Sequence, residues 1–410
     1  MRRVVVTGMG AITPVGNDID TMWANMLAGV NGVEKITSFD TSDLKVHLAG
    51  TVKNFEPEKY IEKRELRKLD IYCQYAIAAA QQAVDDSGIL GNINEERFGV
   101  YIGAGIGGLH SFVNNVTALN EGGPRKVSPF FIPMMIGNIA TGNVAIRFKA
   151  KGVSLSVMSA CATGTHSIGE AFHAIKDGYA DAIIAGGTEA VIAPLTIAGF
   201  QNMKALSTNE DPETASRPFD KNRDGFVMGE GAGMLVLEEY EHAKARGANI
   251  YAEVIGYGAT CDAYHETSPD PEGKGGAKAM EFAVKESGRA PETFNYVNAH
   301  GTSTPMNDKT ETAAVKLVFG EHAKNMVINS TKSMTGHLLG AAGGVEAVAC
   351  ALQIKNSKVH RTLGLKVADP ECDLDYAADG TRDMKITGAL SNSLGFGGHN
   401  ACIAFAPVED

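Results

Sequence analysis

The feature that most constrains the fold is a repeated alternation of short apolar runs with alanine- and glycine-rich helical segments. Several runs are continuously apolar, as expected for strands covered on both faces of a sheet. The intervening segments have the length and spacing of helices, and they are predicted at 69–88, 162–178 and 336–357. The alternation predicts an α/β fold with helices layered on sheets. Strands are predicted at 3–8, 98–103, 153–157, 181–187, 234–238, 251–258, 296–301, 326–330, 385–391 and 401–406.

The two halves of the chain show a weak internal repeat. In the first half, Cys161 begins an alanine- and glycine-rich segment, and the apolar run DAIIAGG follows it. In the second half, His337 begins a similar segment, and apolar runs again follow. We therefore predict two similar halves, 1–250 and 251–410, that form one compact unit. Two ordinary, unrelated α/β segments remain the alternative.

Charge and cysteine content exclude several classes of protein. The net charge of −11 disfavours nonspecific binding to nucleic acid or to anionic membranes. The six cysteines include no C-x-x-C pair, which argues against a zinc ribbon or a disulfide framework and fits a reducing compartment. The first apolar run is too short for a signal peptide, and no segment reaches the roughly 20 apolar residues of a membrane helix. We expect a soluble, cytoplasmic protein.

Cys161 is the strongest candidate for a nucleophile. It lies in SVMSACATGTHSIGEAF, where a strand gives way to a turn of small residues and then to a helix. The start of a helix presents a positive dipole end and free N–H groups, which favour a thiolate and can also hold an oxyanion. The alternative is a buried structural cysteine, which we accept for Cys73, Cys350 and Cys402 because they lie inside apolar runs.

Two histidines follow at the boundaries of later predicted elements. His300 in YVNAHGTSTPMND ends a predicted strand, a position suited to catalysis in an open α/β sheet. His337 in NSTKSMTGHLLGAAGG begins a helical segment, and Lys332 lies five residues before it. A helix start and a nearby lysine both favour the neutral imidazole. For His300 a capping role, and for His337 a surface cap beside a solvated lysine, remain alternatives.

Two glycine-rich turns complete the candidate site. Gly103, Gly105 and Gly108 spell G-x-G-x-x-G after a predicted strand, a pattern typical of dinucleotide-binding enzymes. A dinucleotide-dependent oxidoreductase is therefore one alternative. It would need an acidic residue at the end of the next strand, about 20 residues on; Glu121 is at that distance but follows a helix-like run. The second turn, SLGFGGHN, carries Phe396 between glycines, where a lone aromatic ring can gate a site or lie in the core. A metalloprotein with Cys161, His300 and His337 as ligands is a further alternative, disfavoured by spacing and by the nearby lysine.

The motifs ACATGTHSIGEA, AHGTSTPMND, STKSMTGHLLGAAGG and GFGGHNACIAF together resemble those of the β-ketoacyl-acyl-carrier-protein synthases, the elongating enzymes of type II fatty acid biosynthesis. The resemblance extends from the first residues to the last strand. It implies a thiolase-like, duplicated α-β-α-β-α layered fold with mixed sheets. It also implies a decarboxylative Claisen condensation that extends a fatty acyl chain by two carbons.

The resemblance assigns expected roles to residues of this chain. Cys161 would carry the acyl group, His300 and His337 would stabilise the enolate, and Lys332 would organise the site. The resemblance also implies that six residues lie near the substrate: Thr302, Thr304, Gly395, Phe396, Ile106 and Phe200. The N–H groups of Cys161 and Phe396 would form the oxyanion hole. A structural cation is implied near Asn298, Glu346 and Asn392, and no catalytic metal is expected.

The same resemblance implies an acidic acyl carrier protein as partner, carrying acyl and malonyl groups on phosphopantetheine, with no tightly bound cofactor. It also implies a homodimer. Because this chain is itself acidic, the carrier protein needs a local basic surface. Candidates for that surface are Lys63, Arg64, Arg67, Lys68, Arg125, Lys126 and Lys204. A solvated helix face is the alternative for each of them.

Overall fold

The computed structural model describes residues 2–409. The strands are β1 (Val4–Ile12), β2 (Val33–Lys35), β3 (Leu48–Gly50), β4 (Phe98–Gly103), β5 (Ser154–Leu155), β6 (Ala182–Glu189), β7 (Gly231–Glu239), β8 (Ala252–Cys261), β9 (Tyr296–Asn298), β10 (Val327–Asn329), β11 (Lys358–Val359), β12 (Arg382–Asp383), β13 (Ala389–Gly395) and β14 (His399–Ala406). The α-helices are α1 (Ile19–Ala28), α2 (Lys63–Leu66), α3 (Ile71–Ser87), α4 (Leu109–Gly122), α5 (Phe131–Met135), α6 (Ile139–Phe148), α7 (Thr163–Lys176), α8 (Pro194–Asn202), α9 (Pro212–Ala215), α10 (Tyr240–Ala245), α11 (Lys274–Ser287), α12 (Pro305–Phe319), α13 (Lys332–Thr335) and α14 (Ala342–Asn356).

Within the described residues, ten strands form one mixed sheet in the order β10-β9-β13-β14-β8-β1-β7-β6-β4-β5. From the β5 edge inward, β5, β4 and β6 are parallel, and β7 and β1 continue antiparallel. From the β10 edge inward, β10, β9 and β13 are parallel, and β14 and β8 continue antiparallel. The two halves of the sheet therefore have the same strand order and directions, and they meet where β1 pairs antiparallel with β8.

The helices form three layers around the strands. Helices α3 and α6 pack on one half of the sheet, and α11 packs on the other half beside α12. Helices α7 and α14 contact each other and strands of both halves, so they form the central layer. The predicted α/β class and α-β-α-β-α layering are confirmed. No helix among the described residues is long and apolar enough to cross a membrane.

Glycines allow the two central helices to approach within backbone contact. A Cβ on Gly164 of α7 would lie 2.7 Å from the backbone nitrogen of Gly344 in α14. A Cβ on Gly343 would lie 2.5 Å from the backbone nitrogen of Thr165. Larger residues at these positions would push α7 and α14 apart. The close approach brings the start of α7 beside the turn that precedes α14, and these are the segments that carry Cys161 and His337.

Several predicted element boundaries are wrong, among them those of three strands and one helix. The run 153–157 forms only the two-residue β5, because it lies at the sheet edge with β4 as its one neighbour. The strand predicted at 385–391 is found at Ala389–Gly395. The prediction stopped short because Asn392 and Ser393 are polar and interrupt the apolar pattern, although both are buried. The strand predicted at 296–301 ends at Asn298, and the helix predicted from 336 begins at Ala342 after an irregular turn.

Candidate active site

One cavity of about 520 Å³ brings together the four segments singled out in the sequence. Cys161, His300 and His337 all line it. The six residues predicted near the substrate also line the cavity: Ile106, Phe200, Thr302, Thr304, Gly395 and Phe396. Lys332 is 1% exposed and lies behind this wall.

Cys161 lies in a short 3-10 turn, Ala160–Ala162, that leads directly into α7. The preceding residue, Ala160, has a φ of 51°, a left-handed conformation that is costly for a residue with a Cβ. Such local strain is typical of residues that hold a functional side chain in an imposed position. The side chain of Cys161 remains partly exposed to the cavity, whereas Cys73, Cys350 and Cys402 are fully buried in the core as predicted.

The ionisation of Cys161 differs from the sequence prediction. Burial raises the pKa of the thiol to about 12, while the charge of Lys332 and the N–H of Phe396 act in the opposite direction and are outweighed. The prediction that a helix start favours the thiolate is therefore wrong for this structure. The apolar surroundings of the sulfur destabilise the thiolate more than Lys332 and the N–H of Phe396 stabilise it.

The turn between β13 and β14 lies against Cys161. A Cβ on Gly395 would lie 3.2 Å from the backbone nitrogen of Cys161, so only a glycine permits this approach without displacement. The next residue, Phe396, directs its N–H toward the Cys161 sulfur. Its ring lies 6.3 Å from the ring of Phe200, centroid to centroid, on the cavity wall. Two N–H groups, of Cys161 and Phe396, therefore lie near the Cys161 sulfur.

His300 follows the end of β9 and is 3% exposed. Its backbone N–H and that of Gly301 each donate to a different oxygen of Glu311, both at 2.8 Å. The ring Nδ1 is buried without a partner among the described residues. Burial, with the charge of Lys332 next in importance, lowers the pKa of His300 well below 6.5, so the imidazole is neutral.

His337 is neutral for the same reasons, because burial and Lys332 lower its pKa well below 6.5. Its Nδ1 accepts a hydrogen bond from the backbone N–H of Leu339 at 3.2 Å. A neutral imidazole that accepts at Nδ1 carries its proton on Nε2. That Nε2 is buried and has no partner in the part of the chain that the structure describes. His337 therefore offers an unused hydrogen-bond donor.

Lys332 lies on α13 and forms an ion pair with Glu346 of α14. Both side chains are almost completely buried. The ammonium lowers the pKa values of Cys161, His300 and His337, and burial raises that of Glu346 to about 7. Lys332 thus acts on the site through its charge rather than by forming part of the cavity wall.

The hydrogen bonds of the glycine loop exclude the dinucleotide alternative. Gly105, Ile106 and Gly107 donate their N–H groups to the carboxylate of Glu189 at 2.8, 3.2 and 3.2 Å. A dinucleotide phosphate needs such N–H groups for itself. The protein's own carboxylate occupies them, so the G-x-G-x-x-G match does not mark a pyrophosphate site.

The metalloprotein alternative also lacks support. Between residues 2 and 409, no three His, Cys, Asp or Glu side chains are grouped so that they could hold a metal ion. The predicted cation residues nevertheless share a distinctive feature: Asn298 Oδ1, Asn392 Oδ1 and Glu346 Oε2 are buried oxygens without hydrogen-bond partners.

The predicted docking residues differ in their surroundings, although all are exposed. Lys63, Arg64 and Lys68 form ion pairs with Glu58, Glu62 and Glu65. No ion pair is found within the described chain for the other predicted docking residues, Arg67, Arg125, Lys126 and Lys204. Lys204 also lines the cavity.

Sequence reasoning did not single out several residues that shape the site. Phe226 packs on His337 with ring centroids 5.3 Å apart, and Leu339 lines the cavity beside it. Glu189 and Glu311 hold the loops of Ile106 and His300 by their N–H groups. A signal was available for Glu189, because a charged residue ends the otherwise apolar run AIIAGGTE.

Two family models match this chain over most of its length. The model of the β-ketoacyl synthase N-terminal domain matches residues 1–243, and that of the C-terminal domain matches residues 251–366. The 3-oxoacyl-[acyl-carrier-protein] synthase 2 of Staphylococcus aureus (strain COL) is 56% identical over 411 residues, which cover 100% of this chain and 99% of that protein.

Solved structures agree with this result. A β-ketoacyl synthase from Burkholderia phymatum STM815 is 36% identical, with a TM-score of 0.92 and full coverage of both chains. A type II polyketide ketosynthase, solved with its acyl-carrier protein and bound to the hexaketide, has the same TM-score, 0.92, and is also 36% identical, with full coverage of both chains.

The layered α/β fold and a cysteine facing neutral imidazoles define a thiolase-like condensing enzyme, which transfers an acyl group and forms a carbon–carbon bond. More particularly, the chain belongs to the β-ketoacyl synthase family.

Proposed function

We propose that this enzyme extends an acyl chain by two carbons, with Cys161 as nucleophile and a malonyl thioester as the second substrate. One observation carries the proposal: Cys161 and two neutral imidazoles line one cavity, and the Nε2–H donor of His337 is unused. Carbon–carbon bond formation between thioesters requires a nucleophile that is also a good leaving group, together with donors for a developing oxyanion. The cavity contains both.

In the first step, the sulfur of Cys161 bonds to the acyl carbonyl carbon, and the bond from that carbon to the pantetheine sulfur breaks. The thiol proton of Cys161 leaves on the pantetheine sulfur. The N–H groups of Cys161 and Phe396 stabilise the oxyanion of the tetrahedral intermediate. Their closeness to the sulfur supports this assignment.

In the second step, the malonyl thioester loses carbon dioxide, and the electron pair of the broken bond forms an enolate. Neutral His300 and His337 donate hydrogen bonds to the enolate oxygen. The low pKa values of both rings support this role, because an imidazolium beside buried Lys332 is disfavoured. The ammonium of Lys332 thereby keeps both rings in the donor form without touching substrate.

In the third step, the enolate carbon bonds to the acyl carbon on Cys161, and the bond from that carbon to sulfur breaks. The product is a 3-ketoacyl thioester, and the released Cys161 thiolate takes a proton from water. The raised pKa of Cys161 favours this return to the thiol.

We propose that both substrates arrive on the phosphopantetheine of an acyl carrier protein. The Staphylococcus relative is named for such substrates, and the polyketide ketosynthase was solved with its carrier protein. Thr302 and Thr304 lie on the cavity wall with their hydroxyl groups 2.9 Å apart, where they can hydrogen-bond the pantetheine arm. Lys204 lies at the same cavity, and Arg67, Arg125 and Lys126 are exposed cations suited to an acidic carrier.

We also propose a structural cation beside Lys332 and Glu346. The amide nitrogen of Asn298 donates to Tyr296 and Thr331, and that of Asn392 donates to Glu311. Each amide therefore leaves its oxygen free, and hard cations prefer such oxygen ligands. Glu311 and Glu346 bring two carboxyl groups against the single ammonium of Lys332, so the bound cation would balance charge around the catalytic wall.

The proposed active form is a homodimer. Strand β5 ends the sheet and leaves Leu155 56% exposed, with Met158 nearby at 58%. An unpaired edge with apolar side chains is rarely left in water. Further exposed apolar residues from the neighbouring segments are Phe112, Val116, Leu119, Phe130, Ile132 and Ile146. A second copy pairing along β5 would cover this surface.

Within each protomer we propose two thiolase-like halves, 1–250 carrying Cys161 and 251–410 carrying both histidines. The repeated strand order supports this division, and β8 begins at Ala252. The two family models also match on either side of it.

The test separates decarboxylation from condensation in wild type, Cys161→Ala and His300→Ala, with acyl- and malonyl-carrier protein as substrates. We expect Cys161→Ala to lose condensation but to release carbon dioxide, because the histidines remain. His300→Ala should lose both activities. Cys261→Ala is the matched control, because this exposed cysteine does not line the cavity, and it should behave as wild type. Full condensation by Cys161→Ala would overturn the mechanism.

A further inference from the structure

Glu189 is a buried charged residue that the proposed reaction does not use. It ends β6 and is 0% exposed. Its carboxylate accepts hydrogen bonds from Gly105, Ile106 and Gly107, and also from the N–H of Gly340 at 3.1 Å. These donors belong to two loops far apart in sequence, so one side chain fastens both loops together.

Each of the two loops places an apolar side chain on the cavity wall. Ile106 comes from the first loop and Leu339 from the second. Leu339 has a φ of 49°, which a leucine adopts only when its surroundings impose it. The N–H of Gly340, directly after Leu339, donates to Glu189, and the N–H of Leu339 itself donates to His337. Both bonds hold the strained residue in place.

The two loops are also in contact at their backbones. A Cβ on Gly340 would lie 2.2 Å from the backbone nitrogen of Gly105 and 2.8 Å from Oε2 of Glu189. A Cβ on Gly105 would lie 2.6 Å from the same oxygen. The separation of the loops, and hence of Ile106 and Leu339, is therefore set at the carboxylate.

We propose that Glu189 is a positioning residue that sets which acyl chain lengths Cys161 accepts, because it fixes the separation of Ile106 and Leu339. The inference rests on the proposed function, since it concerns the acyl group that Cys161 receives. Glu189 touches no substrate; it acts through the two loops.

A glutamine tests this role because it preserves the volume but replaces one acceptor oxygen with an NH₂ group. That group is itself a donor and faces N–H groups, so either the bonds from Ile106 and Gly107 are lost, or those from Gly105 and Gly340 are lost. Burial raises the pKa of Glu189 to about 7 against the effect of its N–H donors, so assays belong at about pH 8, where the wild-type side chain is ionised.

The experiment measures acylation of Cys161 in the full-length enzyme by mass spectrometry, using the two acyl-carrier donors that wild type discriminates most strongly. We expect Glu189→Gln to move the ratio of the two acylation rates toward one by about tenfold or more, equivalent to about 1.4 kcal/mol. A merely structural role would lower the folded fraction and reduce both rates equally, leaving the ratio unchanged. An unchanged ratio overturns the proposal.

Two further variants sharpen the test. Glu230→Gln is the matched control. Glu230 is also a buried glutamate, but it accepts hydrogen bonds from Val52 and Tyr75, which do not line the cavity. It should leave the ratio at the wild-type value, and an equal shift in this control would overturn the proposal. In an Ile106→Ala background, the effect of Glu189→Gln should shrink, because the side chain that it positions is gone; an undiminished effect would contradict the proposed route.

If Glu189→Gln does not fold, Gly105→Ala takes its place, because the added Cβ pushes on the same oxygen without removing the charge. The same shift in ratio is expected, and its absence overturns the proposal. Wild-type enzyme that cannot be acylated at Cys161 would instead contradict the proposed function, so the two failures are distinguishable.

Discussion

The imidazole rings of His300 and His337 lie edge to face, with centroids 5.2 Å apart and planes at 88°. The rings come from separate segments, one after β9 and the other before α14. Phe226 also packs on His337, with ring centroids 5.3 Å apart, and restricts its ring further. Two neutral rings in this arrangement can donate toward one oxygen, whereas two cations beside Lys332 would repel each other.

This relationship predicts that decarboxylation is insensitive to mild acid. The pKa values of His300 and His337 lie well below 6.5, so both rings stay neutral as the pH falls through that value. In Cys161→Ala, carbon dioxide release from malonyl-carrier protein should be flat between about pH 8 and pH 6. A fall in the rate centred near pH 6.5 would contradict the neutral-donor role.

Replacing His337 by Ala should reduce the rate of decarboxylation by roughly 100- to 1,000-fold, the usual cost of losing one oxyanion donor.

Local sequence was informative where the strand and helix signals and the chemistry coincide. The bounds of β4, Phe98–Gly103, were predicted without error, because an apolar run there stops at a glycine turn. Cys161, His300 and His337 were recognised from their places at the ends of elements. Their convergence on one cavity depends on long-range packing of α7 against α14, which the motif resemblance implied but local patterns do not contain.

Burial accounts for what sequence reasoning missed. The ionisation of Cys161 was mispredicted because a helix start is visible in sequence, whereas the loss of water around the sulfur is not. The bounds of β13 were mispredicted because it buries polar residues, which bond to Glu311 and Thr165 and do not look like strand core in the sequence. Glu189 is visible in sequence as a charged residue ending an apolar run, but its role is not, because its partners are the N–H groups of two distant loops.

Ile106→Phe should shorten the acceptable acyl chain. Ile106 lines the cavity, and a phenyl ring there would occupy space that a long chain needs. The specificity constant kcat/KM for a long acyl donor should fall by roughly 10- to 100-fold, while a short donor remains usable. The measurement is a series of donors of increasing length. An unchanged length preference would refute the assignment of Ile106 to the acyl pocket.

An alkali cation should stabilise the fold. A ligand that binds only the folded protein raises the protein's free energy of unfolding. The Tm should therefore be higher in potassium chloride than in choline chloride at equal ionic strength. Asn392→Ala removes one of the free oxygens and should abolish the difference. Asn329→Ala is the control, because the Oδ1 of this buried asparagine already accepts from Tyr296, and it should retain the difference. Equal Tm values for wild type in the two salts would contradict the site.

Leu155→Arg should disrupt the proposed dimer. An arginine on β5 would place a charge where a second copy pairs. Sedimentation should show wild type at about twice the 43.2 kDa chain mass and the variant at the chain mass. Leu317→Arg, on an equally exposed leucine of α12 outside the apolar surface around β5, should remain dimeric. A monomeric wild type would refute the pairing.

The carrier-protein surface can be tested by contrasting unpaired and paired cations. Arg125 and Lys126 have no ion-pair partner within the described chain and do not line the cavity, so an acidic carrier meets their full charge. The double variant Arg125→Glu/Lys126→Glu should raise KM for acyl-carrier substrate by about tenfold, equivalent to about 1.4 kcal/mol. KM for the acyl-CoA surrogate should change far less, because it lacks the carrier's acidic surface. The increase should diminish as salt screens the charges.

Arg67 and Lys68 provide the second arm of this test, because they lie close together but differ in pairing. Arg67 forms no ion pair among residues 2–409, whereas Lys68 already pairs with Glu65 at 3.1 Å. Arg67→Glu should therefore raise KM for carrier-bound substrate more than Lys68→Glu does, and Lys63→Glu, whose partner is Glu58, should have a small effect. Equal effects on carrier-bound and CoA-bound substrates would contradict docking on this surface, because a change confined to the cavity affects both donors alike.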